Sequence, residues 1–512
     1  MKSIYKLIIC GTIACTGLSA CTDDLDVTPI DPSTITYDGS EDMRLGMFNK
    51  LYATFALTGQ NGPDGNGDVD GIDEGTSALY RMMWELNEFS SDGGFWNWHA
   101  DAGVSQIYNL TWNSSNSLVQ GLYCRLYFDI TLCNNFIDLF NGSSDNEVAA
   151  EVAEARWIRA YNYYLLLDMF QDVPFADKIT TESPKQITRA ELFSWLETEL
   201  KELETELPES KINSYRVDRI AAKFLLMRMY LNAEVYCGTD RYTDAANYAA
   251  QIMNSKYTLA PKYAEMFMGD NNSNQNPQAA SEFVFSIYQN GQYTRMWGGN
   301  KLTICGMRDA FNLPYGSSDS WSCFRSSPSL FIGTWFTEEE ALAIKNTAVA
   351  HGYEYANEKV MPTLAGDDRC ILCQSCNNGT EFDCDLSSVL SYISKKTVGD
   401  NGSTFSECWT ICKWTGTYSD GTEVGTDVEF PDTDLPLLRA SEAYLTYAEA
   451  VLRGGTAVNG TAQEAIDALR KRANCTHSFN VSLDNILDEW QREFYSEGRR
   501  RTDLIRFRHF TG

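Results

Sequence analysis

The chain has 512 residues, 43% of them hydrophobic and 12% aromatic, a composition that excludes intrinsic disorder. A formal net charge of −29 repels phosphate backbones and acidic polysaccharides, which excludes nucleic acid as a partner and leaves neutral ligands without a barrier. The length suffices for a large core or for two to three domains, and past the N-terminus there is no apolar run long enough to span a bilayer.

Lys2 and Lys6 precede an apolar stretch from Leu7 to Ala20, too short for a transmembrane helix but right for the core of a secretory signal. Leu18-Ser19-Ala20-Cys21 resembles a bacterial lipobox. That resemblance implies that residues 1–20 are removed and that Cys21 carries the lipid, several acyl chains together giving stable anchorage. The plainer reading is an ordinary cleaved signal with an incidental cysteine. Asp23, Asp24 and Asp26 then follow, resembling the surface-export signal of Bacteroidetes lipoproteins. Residues 21–40 are expected to be an acidic tether; a tether facing the periplasm is the alternative.

The body from residue 41 to 512 reads as helical. Ile158, Tyr161, Leu165, Leu166 and Met169 share one helix face. So do Ala222, Leu225, Leu226, Met229, Tyr230 and Ala233, and after a break at Cys237-Gly238 so do Tyr242, Ala245, Ala246, Ala249, Ala250 and Met253. Ala440, Ala443, Tyr444, Tyr447, Ala448 and Val451 repeat the pattern up to Gly454-Gly455, and Ala462, Ala465, Ile466 and Leu469 begin its partner. Paired helices with small residues at the contact suggest tetratricopeptide-like hairpins, although the period is not strict. Long insertions at about 60–118, 267–335 and 360–435 interrupt them, rich in Gly, Asn, Ser and Asp yet carrying many of the Trp residues; loops of more than about 15 residues are usually functional or disordered, and the aromatics favour function. The last insertion includes a cysteine-rich stretch, about 366–415, with Cys370, Cys373, Cys376, Cys384, Cys408 and Cys412. Outside the cytoplasm disulfides or partly free thiols are the leading reading, with a metal centre the alternative.

Asp70-Gly71-Ile72-Asp73-Glu74-Gly75, Ala155-Arg156-Trp157-Ile158-Arg159-Ala160-Tyr161, Phe430-Pro431-Asp432-Thr433-Asp434-Leu435-Pro436 and Glu493-Phe494-Tyr495-Ser496-Glu497-Gly498-Arg499-Arg500 resemble the SusD/RagB family, with residues 430–508 carrying the most specific motifs. Among its members the chain looks closest to the starch-binding one. The resemblance implies a predominantly all-α, SusD-like fold in which four tetratricopeptide-like helix pairs scaffold long irregular binding loops. It also implies a non-catalytic outer-membrane lipoprotein that captures glycan, starch-type α-glucan first, and passes it to a SusC-like TonB-dependent transporter.

Sugars pack their C–H faces on aromatic rings and need hydrogen-bonding groups at the edge. The stretch Ser90–Asp101 offers both, although buried packing is an equal reading for each Trp. Matching to the starch-binding member implies an arc of Trp98, Trp297 and Trp321 with Arg81 and Asp101 alongside and Trp96 adjacent. Asp101 stands where that site has Asn, replacing an amide donor by an acceptor; Trp297 stands where it has Tyr, keeping the stacking face. The resemblance further implies that Asp270, Asp432 and Asp434 share one structural calcium, against helix capping as the plain alternative. Asn66-x-Asp68-x-Asp70-Gly71 fails as a calcium loop because Ser77 stands at the bidentate position, and a structural loop is expected. Arg499, Arg500, Arg501, Arg506 and Arg508 are expected to pair with Glu493, Glu497 and Asp503. No histidine pair, Gly-x-Ser-x-Gly elbow or phosphate-binding loop occurs. A lipid-anchored glycoside hydrolase and a repeat-based peptide adaptor are the competing functions.

Overall fold

The computed structural model describes residues 37, 39–96, 98, 101–308, 315–321, 323–327, 330, 333–337, 339, 340, 343, 360–374, 409–422 and 425–510. The signal and lipobox, Cys21, the acidic residues behind it, and Cys376, Cys384 and Cys408 lie outside these. The chain divides into a short unit ending at Met47 and a large one from Phe48 to Gly512. Among the described residues there are fifteen α-helices and eight short strands, the strands paired two by two with no closed sheet.

The helices start where the sequence supplies caps. Asn116 accepts from the amides of Leu118 and Val119, and Asp145 from those of Glu147 and Val148. Thr188 with Glu191, and Thr461 with Glu464, form complete capping boxes. Gly238 closes its helix in the left-handed region at φ 72°, where a side chain would be strained.

Ser117–Phe140, Asn146–Met169, Arg189–Glu206, Arg219–Leu231 and Tyr242–Met253 pack one on the next. Tyr242–Met253 then packs not on its sequence neighbour but on Ser441–Leu452, which in turn meets Ala462–Arg472. Ala245, Ala246 and Ala249, fully buried with Ala443 and Ala448, let the Tyr242–Met253 and Ser441–Leu452 backbones approach closely. The array is therefore continuous in space, and the chain between Met253 and Ser441 is looped out of it.

Two devices hold the loops to this scaffold. A β-carbon on Gly121 would fall 2.5 Å from Ile72 Cδ1, so the Ser117–Phe140 helix seats directly against the first insertion. Arg125, fully buried, donates from Nε to the Ser77 carbonyl and from Nη2 to that of Thr58, and pairs with Asp68 at 3.3 Å. Asp68 also takes Lys50 at 2.7 Å, so the Asn66–Gly71 turn is structural, as expected.

The arginine-rich C-terminus pairs with Asp503 as expected, but not with Glu493 or Glu497. Arg499 takes Asp503 and Glu442, Arg500 takes Asp92, Arg506 takes Glu449 and Asp503, and Arg508 takes Glu234. Glu493 and Glu497 face inward instead: Glu493 meets Arg369, Arg439 and Arg472, and Glu497 meets Lys413 and Arg439. The helix turn decides this, because residues so close in sequence point to different faces.

Candidate glycan-binding site

Strand Gly94–Trp96 pairs antiparallel with Phe324–Ser326, Gly94 opposite Ser326 and Trp96 opposite Phe324. A β-carbon on Gly94 would collide with the Phe324 ring at 2.4 Å, so only glycine permits this closeness. The ladder carries Trp98, just beyond one strand, to the side of Trp321, just before the other; their ring centroids are 6.4 Å apart. The Trp321 amide donates to the Cys305 carbonyl at 2.8 Å, tying it to helix Asn300–Cys305. Trp297 lies immediately before that helix, 6.2 Å from Trp321. Its position is fixed by two glycines: Gly298 packs on Ala78, and Gly75 packs under the base of the Trp297 side chain.

Trp98, Trp297 and Trp321 are all half-buried, each leaving part of its ring surface to solvent. The outer rings incline to Trp321 by 38° and 46°, so the three form a bent rather than flat platform. Trp96 does not belong to that surface. It is 1% exposed, meets Trp98 edge-on at 5.8 Å, and donates its indole N–H to Asp101 Oδ2 at 3.0 Å. Its role is to prop Trp98 and aim Asp101. Burial removes it from direct stacking because the strand ends at Trp96 while still inside the packing against Phe89.

Arg81, on helix Leu79–Glu88, donates from Nε to Glu85 Oε1 at 2.7 Å with 14% of its side chain exposed. Burial opposes the guanidinium charge, but the adjacent Glu85 carboxylate outweighs it and holds the group above its usual pKa. Asp101 sits on a turn, its amide donating to the Trp98 carbonyl at 3.0 Å. The three aromatic rings thus have a guanidinium and a carboxylate close by.

Three residues escaped the sequence reading. Asp64 accepts the Trp297 indole N–H at 3.1 Å. Phe430 packs on Trp297 at 5.0 Å. Lys301, with no exposed side-chain surface, lies 5.5 Å from the Trp297 ring centre and 5.9 Å from that of Trp321, its charge met by Asp319. Phe430 stood in the sequence only as the start of a family motif, and Lys301 only as a cation four residues past Trp297. Beside Gly75, Glu74 has its carboxyl pushed up to about 7, first by burial and then by Asp73 and Asp64.

Asp270, Asp432 and Asp434 are buried at 7%, 4% and 2% exposure. The amides of Gln289 and Gly291 hold Asp434 and Asp432 at 2.8 Å each, while Tyr418 OH donates to Asp432 and the Ser419 amide to Asp270. Asp432 is held by both segments, Asp434 by the first and Asp270 by the second, and among the described residues no three His, Cys, Asp or Glu side chains converge as a metal site. Cys305, Cys323, Cys370 and Cys475 are free thiols, and burial pushes those of Cys323 and Cys370 well up, leaving them unreactive.

Residues 256–512 match the model of the SusD family, and residues 76–231 match a model described as starch-binding associating with outer membrane. The starch-binding protein SusD of Bacteroides thetaiotaomicron is 35% identical over 531 residues, covering 100% of this chain and 91% of that protein. Among solved structures, surface glycan-binding protein A from the same organism superposes with a TM-score of 0.63 at 20% identity, over 93% of this chain and 91% of its own. Its complex with laminarihexaose gives 0.61 at 19% identity, over 92% and 90%.

Proposed function

The chain belongs to the SusD family, and from that membership we propose that it is a non-catalytic glycan-binding lipoprotein that captures starch-type α-glucan on the platform of Trp98, Trp297 and Trp321. The observation that carries this reading is the set of three half-buried indoles spaced 6.2 and 6.4 Å apart and bent by 38° and 46°. Successive sugars of a coiled chain present their faces at changing angles, which suits a bent platform; a flat ribbon of sugars suits a coplanar one. Arg81 and Asp101 supply hydrogen bonds at the edge.

In this reading Cys21 holds the protein on the outer membrane, facing outward, where it covers a SusC-like transporter and delivers the bound chain to it. Cys21→Ala should release the protein from the membrane and stop glycan uptake while leaving affinity in solution unchanged. Isothermal titration with maltoheptaose, pullulan, dextran, laminarihexaose, fructan and mannan tests the binding claim. Replacing all three tryptophans by alanine should remove the binding carried by the platform; an isotherm identical to wild type would refute the site.

Glu74 is the one observation that favours a hydrolase, since a carboxyl with a pKa of about 7 beside a sugar platform has the character of a general acid. New reducing ends released from starch, lost in Glu74→Gln, would establish that reading against the present one.

We further propose that calcium binds among Asp270, Asp432 and Asp434. The donor set is all oxygen, as calcium requires, and buried carboxylates gain most from a cation. Calcium should raise the Tm and chelator lower it, and neither should act on Asp432→Asn.

A further inference from the structure

Away from the platform, a cavity of about 560 Å³ opens between the 107–119 segment, the end of helix Asn146–Met169 and the C-terminal helix. Its size falls in the range of small-ligand sites, roughly 300–1,000 Å³. Trp112 lines it at 39% exposure and has no aromatic or hydrogen-bonding partner among the described residues. A tryptophan placed this way costs solvation without stabilising the fold through ring contacts.

The loop that presents it is built. Leu110 is in the left-handed region at φ 55°, which is strained for a non-glycine residue. The Thr111 amide donates to the Gln106 carbonyl at 2.9 Å, Asn113 Oδ1 takes the Ser115 amide at 2.9 Å, and Asn116 caps the next helix. Gln171, on the opposite wall, is left-handed too, at φ 66°. Of the five described non-glycine residues at positive φ, one therefore lines this cavity and another sits two residues before its tryptophan. Strain held in place by surrounding hydrogen bonds is characteristic of binding sites.

Arg501 completes the wall. Its neighbours Arg499, Arg500, Arg506 and Arg508 all have carboxylate partners. Arg501 has none among the described residues: its Nη1 donates to the carbonyls of Ser90 and Phe510 at 3.2 Å each, and its Nε and Nη2 take no described acceptor. In a chain of net charge −29 an arginine left without an acid, facing a cavity beside an exposed indole, is a free forked donor.

From this juxtaposition we infer that the cavity is a second saccharide site, in which Trp112 stacks on one sugar ring while Arg501, with Asn113 and Gln171, takes its hydroxyls. The inference rests on the glycan-binding reading. The two sites share a wall: helix Leu79–Glu88 carries Arg81 toward the platform and Leu86 into the cavity, about 7.5 Å further along its axis.

The test is calorimetric titration of maltoheptaose and, separately, laminarihexaose into the full mature chain. Wild type should show two sites. The Trp98/Trp297/Trp321 triple alanine variant should keep one, and adding Trp112→Ala should weaken it roughly tenfold or more, the loss expected of one stacking aromatic. Arg501→Gln, which removes the charged fork but keeps a polar side chain, should weaken it independently, so a misfolded Trp112→Ala protein would not shield the idea. A single wild-type site that vanishes in the triple variant would overturn the inference and leave the platform standing. Binding that survives in the triple variant and is lost in Trp112→Ala would instead refute the platform and support the cavity. No binding of either oligosaccharide would overturn both.

Discussion

The position of Trp297 rests on the absence of one methyl group. A β-carbon added to Gly75 would lie 2.9 Å from Trp297 Cβ and 3.2 Å from Cδ1. Carbon pairs rest at about 3.5–4.0 Å, so both contacts are deep in repulsion, and the atom struck is the root of the indole side chain, which cannot swing aside. In Gly75→Ala the Trp297 backbone or ring must therefore move. Overpacking of this kind costs about 1–3 kcal/mol, and the 3.1 Å bond from the indole N–H to Asp64 lies in the path of the displacement. The stacking surface next to Trp321 would tilt with it. We expect Gly75→Ala to lower glycan affinity about tenfold with a loss in Tm of a few degrees. Gly333 has open space where its β-carbon would lie and is not at positive φ, so Gly333→Ala is the control and should change neither quantity. Titration calorimetry and thermal unfolding read both. Full affinity in Gly75→Ala would show that Trp297 is not held by this contact, or that its ring takes no part in binding.

Arg439, 1% exposed, makes charge-assisted bonds to Glu282, Glu493 and Glu497 at once, so Arg439→Met should take one cation from each of three buried carboxylates, leaving them only Arg472, Arg369 and Lys413, and cost about 3 kcal/mol in urea unfolding; a loss below 1 kcal/mol would refute that role. Glu88 accepts the Gly498 amide at 2.7 Å, and burial pushes its carboxyl from 4.5 up to about 7. Its contribution to stability is complete below pH 4.5 and is lost as pH rises through 7. Glu88→Gln should therefore gain on the wild type by up to about 3 kcal/mol between pH 4 and 8, and a constant difference between the two across that range would contradict the assignment. Asp101→Asn keeps an oxygen for the Trp96 indole and adds a donor at the platform edge, so it should raise affinity for maltoheptaose several-fold while Tm stays unchanged; an unaltered titration would remove Asp101 from the contact surface.

Much of the helical scaffold was legible because burial on one side of a helix leaves a period that survives in the sequence. Ala245, Ala246, Ala249 and Ala250 announce a helix and its close contact together. The meeting of Trp98 with Trp321 was not legible by periodicity, since a ladder of three residues on each side does all the joining. Nor could spacing separate Trp96 from Trp98: both lie among Gly, Ser and Asp, and only the position of the strand end sends one inward and leaves the other at the surface. Lys301, Asp64 and Phe430 come from three separate segments and are brought together around Trp297.

The same contrast explains how a long irregular insertion can be held with enough precision to bind a ligand. Apolar faces assemble the helical array, but between Met253 and Ser441 there are few helices to bury. Charge takes over that task. Arg369 and Lys413, both on the insertion and fully buried, reach Glu489, Glu493 and Glu497 on the C-terminal segment, and Arg439 at the insertion's exit joins Glu282 to Glu493 and Glu497. Burial opposes ionisation of Glu493, yet Arg472, Arg439 and Arg369 together hold its carboxyl well below the usual range. Each such pair contributes little net stability against an apolar substitute, but breaking one leaves a buried charge, so only one register of insertion on scaffold is tolerated. That register delivers Trp297 and Trp321 to Trp98.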